Sequence, residues 1–481
     1  MYGLAMIKHR AILLALIAFL AFTHIPSVKE KLLKIESKAD NAAPFNKIAF
    51  GQQNGKFSAG TYLNITTFTP VTMTQPPTLH PLEAWHMKRQ NLLSKKAVKV
   101  FLFAYMRGGS TLGGQMFNLE PKSTLWYEPG DPFYSTYFGI EGNLPQNDVY
   151  NRDMTRRSAG WKERQWFTEY YTNIFDCRYD RLPPQLLSHR NIRHSQGLRN
   201  FAQCVDELTP TPGASDCVNL IEDFCGKRFV ETSWKSNCHV VLQTTRDVLQ
   251  RRNGTVQDLT ALIRYELASK RVELGTAVDA GLANFTRHEL CIRNIGRRIR
   301  NCLPDAAEKC RKDSVRAVKS LRHRMEDLEP LIVDNPDLFV IHYVRDRRAI
   351  AASRTRTNYL MWDKMDKRPV KEAMLLCDRM RQDLKRRLHL ESKYRGVFMQ
   401  VRYEDLASRP LDVAANVYSF IGKDVPKSWP DYVHAVMMAS NDSVSDISQH
   451  LNGWKRYISP DQQDAIKRFC QDVLEAFHYP L

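Results

Sequence analysis

The chain has 481 residues, 43% of them hydrophobic, enough to bury one large core or two modest ones and too many for a solvated tail. Its formal charge of +18 favours an anionic partner, whether a nucleotide, a nucleic acid, a sulfated glycan or a membrane surface, with a solvated basic face as the plain alternative. No internal repeat or long low-complexity tract is present.

At the N-terminus, Lys8-His9-Arg10 precedes Ala11 to Val28, which is apolar but for Thr23, His24 and Ser27 and is followed by basic residues. The length suits a short spanning helix, for which a bilayer core takes ~20 residues, and equally a signal-peptide core. No convincing small-x-small cleavage site follows. The basic residues on the short side predict a cytosolic tail over 1–10, a signal anchor over 11–28 and the remainder in the lumen. Sequons at Asn64, Asn253, Asn284 and Asn441 suit such a location. All ten cysteines lie after residue 176, and Cys177, Cys204, Cys217, Cys225, Cys238, Cys291, Cys302 and Cys310 crowd one central segment. There is no Cys-x-x-Cys, and an even, clustered set behind an anchor reads as disulfides in an oxidising compartment. Parity and the gap between the two groups point to Cys377 bonding Cys470, with the central eight pairing among themselves.

Residues 29–96 lack sustained periodicity and read as a stem. From 97 onward, "AVKVFLFAY", "DLFVIHYV" (337–344) and "VFMQVRY" (397–403) are short apolar runs of the kind buried on both faces of a parallel sheet. Helical stretches over Arg347 to Arg356 and Pro369 to Leu390 lie between them. The fold class is therefore α/β, a parallel sheet flanked by helices with a Cys-rich central segment, and ligands are expected at the carboxyl ends of its strands.

Two loops fall at such ends. Arg107-Gly108-Gly109-Ser110-Thr111-Leu112 sets glycines and hydroxyls before a helix, where amide groups can converge on an anion. The Walker pattern is absent: Gly109 and Gly114 have its spacing, but Gln115 follows where Lys is needed. An ordinary strand-to-helix turn fits this loop as well. Arg345 ends a strand, and Ser353 follows about two helical turns later, so the pair can hold a second phosphate. A basic surface helix is the alternative there.

Taken together, "RGGSTLGGQMFN" resembles the 5′-phosphosulfate loop of the carbohydrate 6-O-sulfotransferases, and "YEP" (127–129) the Phe-Glu-Pro that follows it. "VRDRRAIAASR" resembles that family's 3′-phosphate segment, "VRYEDLASRPLDVAANVYSFIG" its later block, and "HLNGWKRYIS" with Cys470 its C-terminal end. The order fits over 97–481, except for a weakly matching middle of about 135–319. Arg347 stands where the family usually has Pro, Thr111 replaces a second Ser, and Leu112 replaces Phe. The resemblance implies a P-loop-like sulfotransferase fold. It also implies a Golgi type II membrane enzyme that moves sulfate from 3′-phosphoadenosine 5′-phosphosulfate (PAPS) to the 6-hydroxyl of galactose, N-acetylglucosamine or N-acetylgalactosamine in a glycan or proteoglycan. No metal and no nucleic acid take part.

On that reading Arg107 to Leu112, Arg345 and Ser353 bind the donor, and Arg107 also stabilises charge on the leaving oxygen. Glu128 is the candidate general base, with a structural carboxylate paired to an Arg as the competing role and Glu404 and Asp405 as alternative bases. Trp454 and Lys455 are candidates for adenine stacking and phosphate contact, with core packing equally open to Trp454. A lumenal glycan-binding protein on a degenerate nucleotide-binding fold is the second reading, and a P-loop-like kinase, weakened by the missing Lys, a third.

Overall fold

The computed structural model describes residues 81–94, 97–138, 149–150, 156–208, 238–272, 276–356, 368–437 and 451–480, all within one compact unit, Pro77–Leu481. The expected cytosolic tail, signal anchor and most of the stem lie outside the described residues, as do Cys217, Cys225, Asn64 and Asn441. No helix among the described residues is long and apolar enough to cross a membrane.

Five strands form a parallel sheet in the order β2-β5-β1-β6-β7: β1 Val98–Ala104, β2 Ser123–Tyr127, β5 Val315–Ser320, β6 Leu338–Val344 and β7 Phe398–Arg402. A two-stranded antiparallel ribbon, β3 Val149–Tyr150 with β4 Arg156–Arg157, stands apart from it. The apolar runs at 97, 337 and 397 are the three strands β1, β6 and β7, and the reason they are nearly continuous is visible in β1. Phe101 and Phe103 enter one hydrophobic cluster, whereas Val98, Val100, Leu102 and Ala104 enter another on the opposite face. With both faces covered, the period-2 alternation carries no polar side. The expected helices are also present, over Arg347–Arg356 and Arg368–Lys393. Strands β2 and β5 escaped the sequence reading, because β5 is "VRAVKS", whose Arg316 and Lys319 disguise a strand with Ala317, Val318 and Lys319 buried.

The stem boundary needs correction. The helix Pro81–Leu93 falls inside the expected stem but is docked on the sheet through Trp85 and Arg89, both buried. Trp85 Nε1 donates to the Ile332 carbonyl at 3.1 Å, and Arg89 donates to the carbonyls of Pro336, Leu338 (3.0 Å) and Gly396 (2.6 Å). A guanidinium that satisfies chain ends just before β6 and β7 makes this helix part of the domain, despite a polar composition without clear periodicity.

In the central segment, Cys177 bonds Cys310 and Cys204 bonds Cys302, and near the C-terminus Cys377 bonds Cys470, as parity suggested. Each closes a loop of 93 to 133 residues, for which the chain-entropy account gives ~4–5 kcal/mol. The helices Cys238–Arg251, Val256–Ser269 and Thr276–Arg298 share a small core of their own, including Val241, Ile263, Leu267 and Phe285.

One buried acid gives the fold a pH dependence. Asp327 accepts the Arg324 N–H at 3.1 Å through one oxygen, while its other oxygen is buried without a partner, and burial pushes its carboxyl from 3.8 up to about 7. A raised acid pKa means that the folded chain holds a proton the unfolded chain has released. This contribution is complete below about 3.8 and lost as pH rises to about 7. Urea unfolding should therefore show midpoints that fall between pH ~4 and ~7, with a shallower fall in Asp327→Asn; parallel curves for the two proteins would refute the assignment.

Candidate active site

The carboxyl ends of all five parallel strands lie along one edge of the sheet, where open α/β folds bind ligands. Neighbouring strands stand roughly 4.8 Å apart, so the ends of β1 and β6 place the Arg107 loop and Arg345 side by side, while the end of β2 brings Glu128 two strands away.

The loop after β1 is drawn tight by its neighbours. The Gly108 N–H donates to the Tyr105 carbonyl at 2.8 Å, and the Arg354 Nε donates to the Met106 carbonyl at 3.2 Å. Arg345 Nη1 donates to the Arg107 carbonyl at 3.2 Å, and the Tyr343 hydroxyl to that of Gly109 at 3.4 Å. Gly109 is required on two counts: its φ is 74°, and a Cβ there would stand 2.3 Å from the Tyr403 ring. The helix Ser110–Asn118 starts immediately after it, so its first amides, which lack helical acceptors, face the loop. Ser110 is buried and Thr111 exposed, with the Thr111 hydroxyl 3.0 Å from that of Tyr127.

The second motif meets the first directly. Arg107 Nε donates to Ser353 Oγ at 3.0 Å, which joins the two loops that the sequence had placed 246 residues apart. The Arg345 guanidinium lies 4.3 Å from the centre of the Tyr403 ring, and its Nε is buried without a hydrogen-bond partner among the described residues. An orphaned donor beside exposed Arg107 and half-buried Ser353 fits a polyanionic ligand better than an ordinary turn would.

Glu128 closes the other side. Its side chain is 15% exposed; Oε1 accepts Lys319 Nζ at 2.7 Å and Oε2 accepts Arg322 Nη1 at 3.1 Å. Burial by itself pushes this carboxyl up, but Lys319 and Arg322 together outweigh it and hold the pKa below the usual glutamate value. Arg107 (φ 67°) and Glu128 (φ 53°) are two of the five non-glycine residues in the left-handed region among those described. Such strain collects at functional sites. The sequence reading missed Lys319, at the end of the weakly matching middle, and Arg322, just beyond it; the lone Lys within the short strand "VRAVKS" was the available signal. Lys319 is 1% exposed and also stacks 3.7 Å from the centre of the Tyr127 ring.

The remaining candidates separate cleanly. Trp454 is 8% exposed and carries the Arg348 guanidinium over its ring at 4.9 Å, so it belongs to the packed interior, and adjoining Lys455 is exposed. Glu404 accepts the Asp346 N–H at 3.0 Å and the Tyr479 hydroxyl at 2.9 Å, a cap on the chain between Arg345 and Arg347. Asp405 pairs with Arg402 and Arg409 at 3.9 and 3.7 Å. Leu112 packs against the hydrophobic cluster that contains Val100 of β1 and Phe117 of its own helix. Arg347, where the family usually has Pro, begins its helix with a fully buried side chain that donates to the carbonyls of Cys470 (3.4 Å) and Val473 (3.0 Å).

Residues 285–478 match the sulfotransferase domain family. Carbohydrate sulfotransferase 1 of Danio rerio is 30% identical over 194 residues, which cover 36% of this chain and 46% of that protein. Carbohydrate sulfotransferase 3 of Mus musculus is 31% identical over 196 residues, 37% of this chain and 41% of that protein. The chain thus spans less than half the length of these curated relatives. Among solved structures, the sulfotransferase domain from the Synechococcus PCC 7002 olefin synthase is 15% identical with a TM-score of 0.31, over 80% of this chain and 96% of that one. The domain match therefore covers the part of the chain that holds strands β5, β6 and β7 of the parallel sheet. Over that stretch it is similar to carbohydrate sulfotransferases, at about 30% identity.

Loss of either second-loop contact has a defined expected cost. Arg345→Ala and Ser353→Ala should each weaken PAPS binding by about 1–3 kcal/mol, as removal of a charge-assisted hydrogen bond does. Calorimetric titration of the folded variants checks this, and unchanged donor affinity would dismiss the pair from the donor site.

Proposed function

We propose that the protein transfers sulfate from PAPS to the 6-hydroxyl of galactose, N-acetylglucosamine or N-acetylgalactosamine in a glycan or proteoglycan. On this reading it works on the lumenal side of the Golgi membrane, held there by residues 11–28. The observation that carries the donor assignment is the joined pair of loops, Arg107 to Ser353 and Arg345 to the Arg107 carbonyl, which gathers cations, hydroxyls and helix-start amides at one edge of the sheet. PAPS carries a 5′-phosphosulfate and a 3′-phosphate, and needs two such cradles. A glycan-binding protein needs neither.

In the reaction the acceptor oxygen forms a bond to sulfur as the bond from sulfur to the 5′-phosphate oxygen breaks, and the hydroxyl proton passes to Glu128. Arg107 steadies the charge that grows on the leaving phosphate, so catalysis is mostly positioning and electrostatics. Lys319 and Arg322 keep Glu128 ionised, the form a base needs, and one of these ion pairs loosens as Glu128 takes the proton. Exposed Asn253 and Asn284 are open to glycosylation in a lumenal protein.

The test is incubation of the protein with radiolabelled PAPS and a panel of desulfated glycans, followed by location of the label on the sugar. Label at a 6-hydroxyl is the expected result. No incorporation, from a protein that binds adenosine 3′,5′-bisphosphate, would overturn the acceptor assignment.

A further inference from the structure

Residues His189 to Gln196 come from the part of the chain that matches the 6-O-sulfotransferase pattern weakly, yet they are built into the wall of the site. Asn118, the last residue of the helix that begins at Ser110, donates to the His194 carbonyl at 3.1 Å and accepts the Gln196 N–H at 2.7 Å. Fully buried Ser195 accepts the Tyr127 N–H at 3.3 Å, and Asn191 Nδ2 reaches the Glu128 carbonyl at 3.5 Å. The short 3-10 turn Arg190–His194 is therefore fixed to the donor-loop helix and to the end of β2 at once.

From this fixed turn the His194 side chain is exposed, with its ring centre 5.0 Å from that of Tyr127, the residue bonded to Thr111 and stacked with Lys319. Several neighbouring polar groups of this wall are engaged: Glu128 with Lys319 and Arg322, Arg193 with Asp206, Asn118 with the turn itself. Among the described residues, neither ring nitrogen of His194 has a hydrogen-bond partner. We propose that His194 contacts the acceptor, its imidazole hydrogen-bonding the incoming sugar and holding the reactive hydroxyl toward the donor loop. The turn at 190–194 is then a determinant of acceptor choice. This inference rests on the sulfotransferase reading above.

The chemistry suits a sugar. A pyranose hydroxyl both donates and accepts, and a neutral imidazole offers one nitrogen for each role. Partial burial, reinforced by Lys319, Arg190 and Arg193 and opposed by Glu128, holds the His194 pKa below the ordinary histidine value, which keeps the ring neutral near pH 7. Because the side chain is exposed and the turn is held through backbone groups, its removal leaves the fold in place.

The experiment compares the full chain with His194→Ala and His194→Gln, each assayed with the glycan that wild type sulfates best. Acceptor KM is measured at saturating PAPS, and adenosine 3′,5′-bisphosphate affinity and thermal midpoint are measured in parallel. His194→Ala should raise acceptor KM about tenfold, the loss of one hydrogen bond worth ~1.4 kcal/mol, with bisphosphate affinity and midpoint unchanged. His194→Gln, which keeps a donor and an acceptor, should recover part of that loss. An unchanged acceptor KM in His194→Ala overturns the proposal, as does a parallel fall in bisphosphate affinity, which would put His194 in the donor site or the packing. If wild type itself sulfates no glycan, the functional reading fails together with this inference, an outcome distinct from failure confined to the variants.

Discussion

Glu128→Gln should lower kcat by ~10²–10⁴-fold while PAPS affinity stays near its wild-type value. The amide keeps the size of the side chain and can still accept a hydrogen bond from Lys319 or Arg322, but it cannot take the acceptor's proton. The pH profile gives a second readout. Since Lys319 and Arg322 hold the Glu128 carboxyl below its ordinary value, the acid limb of wild-type turnover should lie on the acid side of that of a free glutamate. Turnover is lost as pH falls through that limb, and in Glu128→Gln this limb should be absent. A purely structural Glu128 behaves otherwise. The substitution leaves two buried cations without their counter-charge whichever role Glu128 has, so stability drops in either case, but a purely structural Glu128 would leave the acid limb of the folded variant unchanged. Near-normal turnover with an intact fold would remove Glu128 from the mechanism altogether.

Arg347→Ala should destabilise the protein by ~2–4 kcal/mol and weaken donor binding as well. The side chain is fully buried, and besides a contact to Cys377 Sγ it donates to two carbonyls, those of Cys470 and Val473 in the helix Pro460–Ala476, toward whose C-terminal end a cation also complements the helix dipole. Burial lowers the guanidinium pKa to about 10, which still leaves it charged at neutral pH. Truncation removes both charge-assisted bonds and opens a cavity. The donor effect follows from the neighbours. Asp346 accepts Arg348, whose Nη2 donates to the Pro480 carbonyl at 2.8 Å, and Glu404 ties the Asp346 N–H to Tyr479, so the chain next to Arg345 is strapped to the C-terminal tail. Urea unfolding and bisphosphate titration of Arg347→Ala and Arg347→Lys check this, with Lys intermediate because one ammonium cannot span both carbonyls as the planar fork does. A variant as stable as wild type would show that the strap is not under load.

Periodicity and local chemistry carried the reading of the fold and of the loops at its strand ends a long way. Strands β1, β6 and β7 were legible because burial on both faces leaves an uninterrupted apolar run. The Arg107 and Arg345 loops were legible because glycine, hydroxyl and guanidinium groups at strand ends have few other uses. Strand β5 was not, since a strand that carries Arg316 and Lys319 looks solvated until the partner of its lysine is known. The helix Pro81–Leu93 was hidden for a related reason: Trp85 and Arg89 are satisfied by carbonyls at Ile332, Pro336, Leu338 and Gly396, some 250 to 300 residues away.

By itself the sequence determined the α/β class, the two loops at strand ends and the family resemblance they carry, and it suggested the Cys377–Cys470 bridge. These follow from patterns local to a strand, a turn or a count of cysteines. Tertiary structure alone decided that Arg107 meets Ser353, that Glu128 is held between Lys319 and Arg322, that Trp454 turns inward beneath Arg348, and that His194 stands at the Tyr127 wall. Each of these depends on which strand ends become neighbours in the order β2-β5-β1-β6-β7, and that order is set by long-range burial and pairing, which leave no periodic trace along the chain.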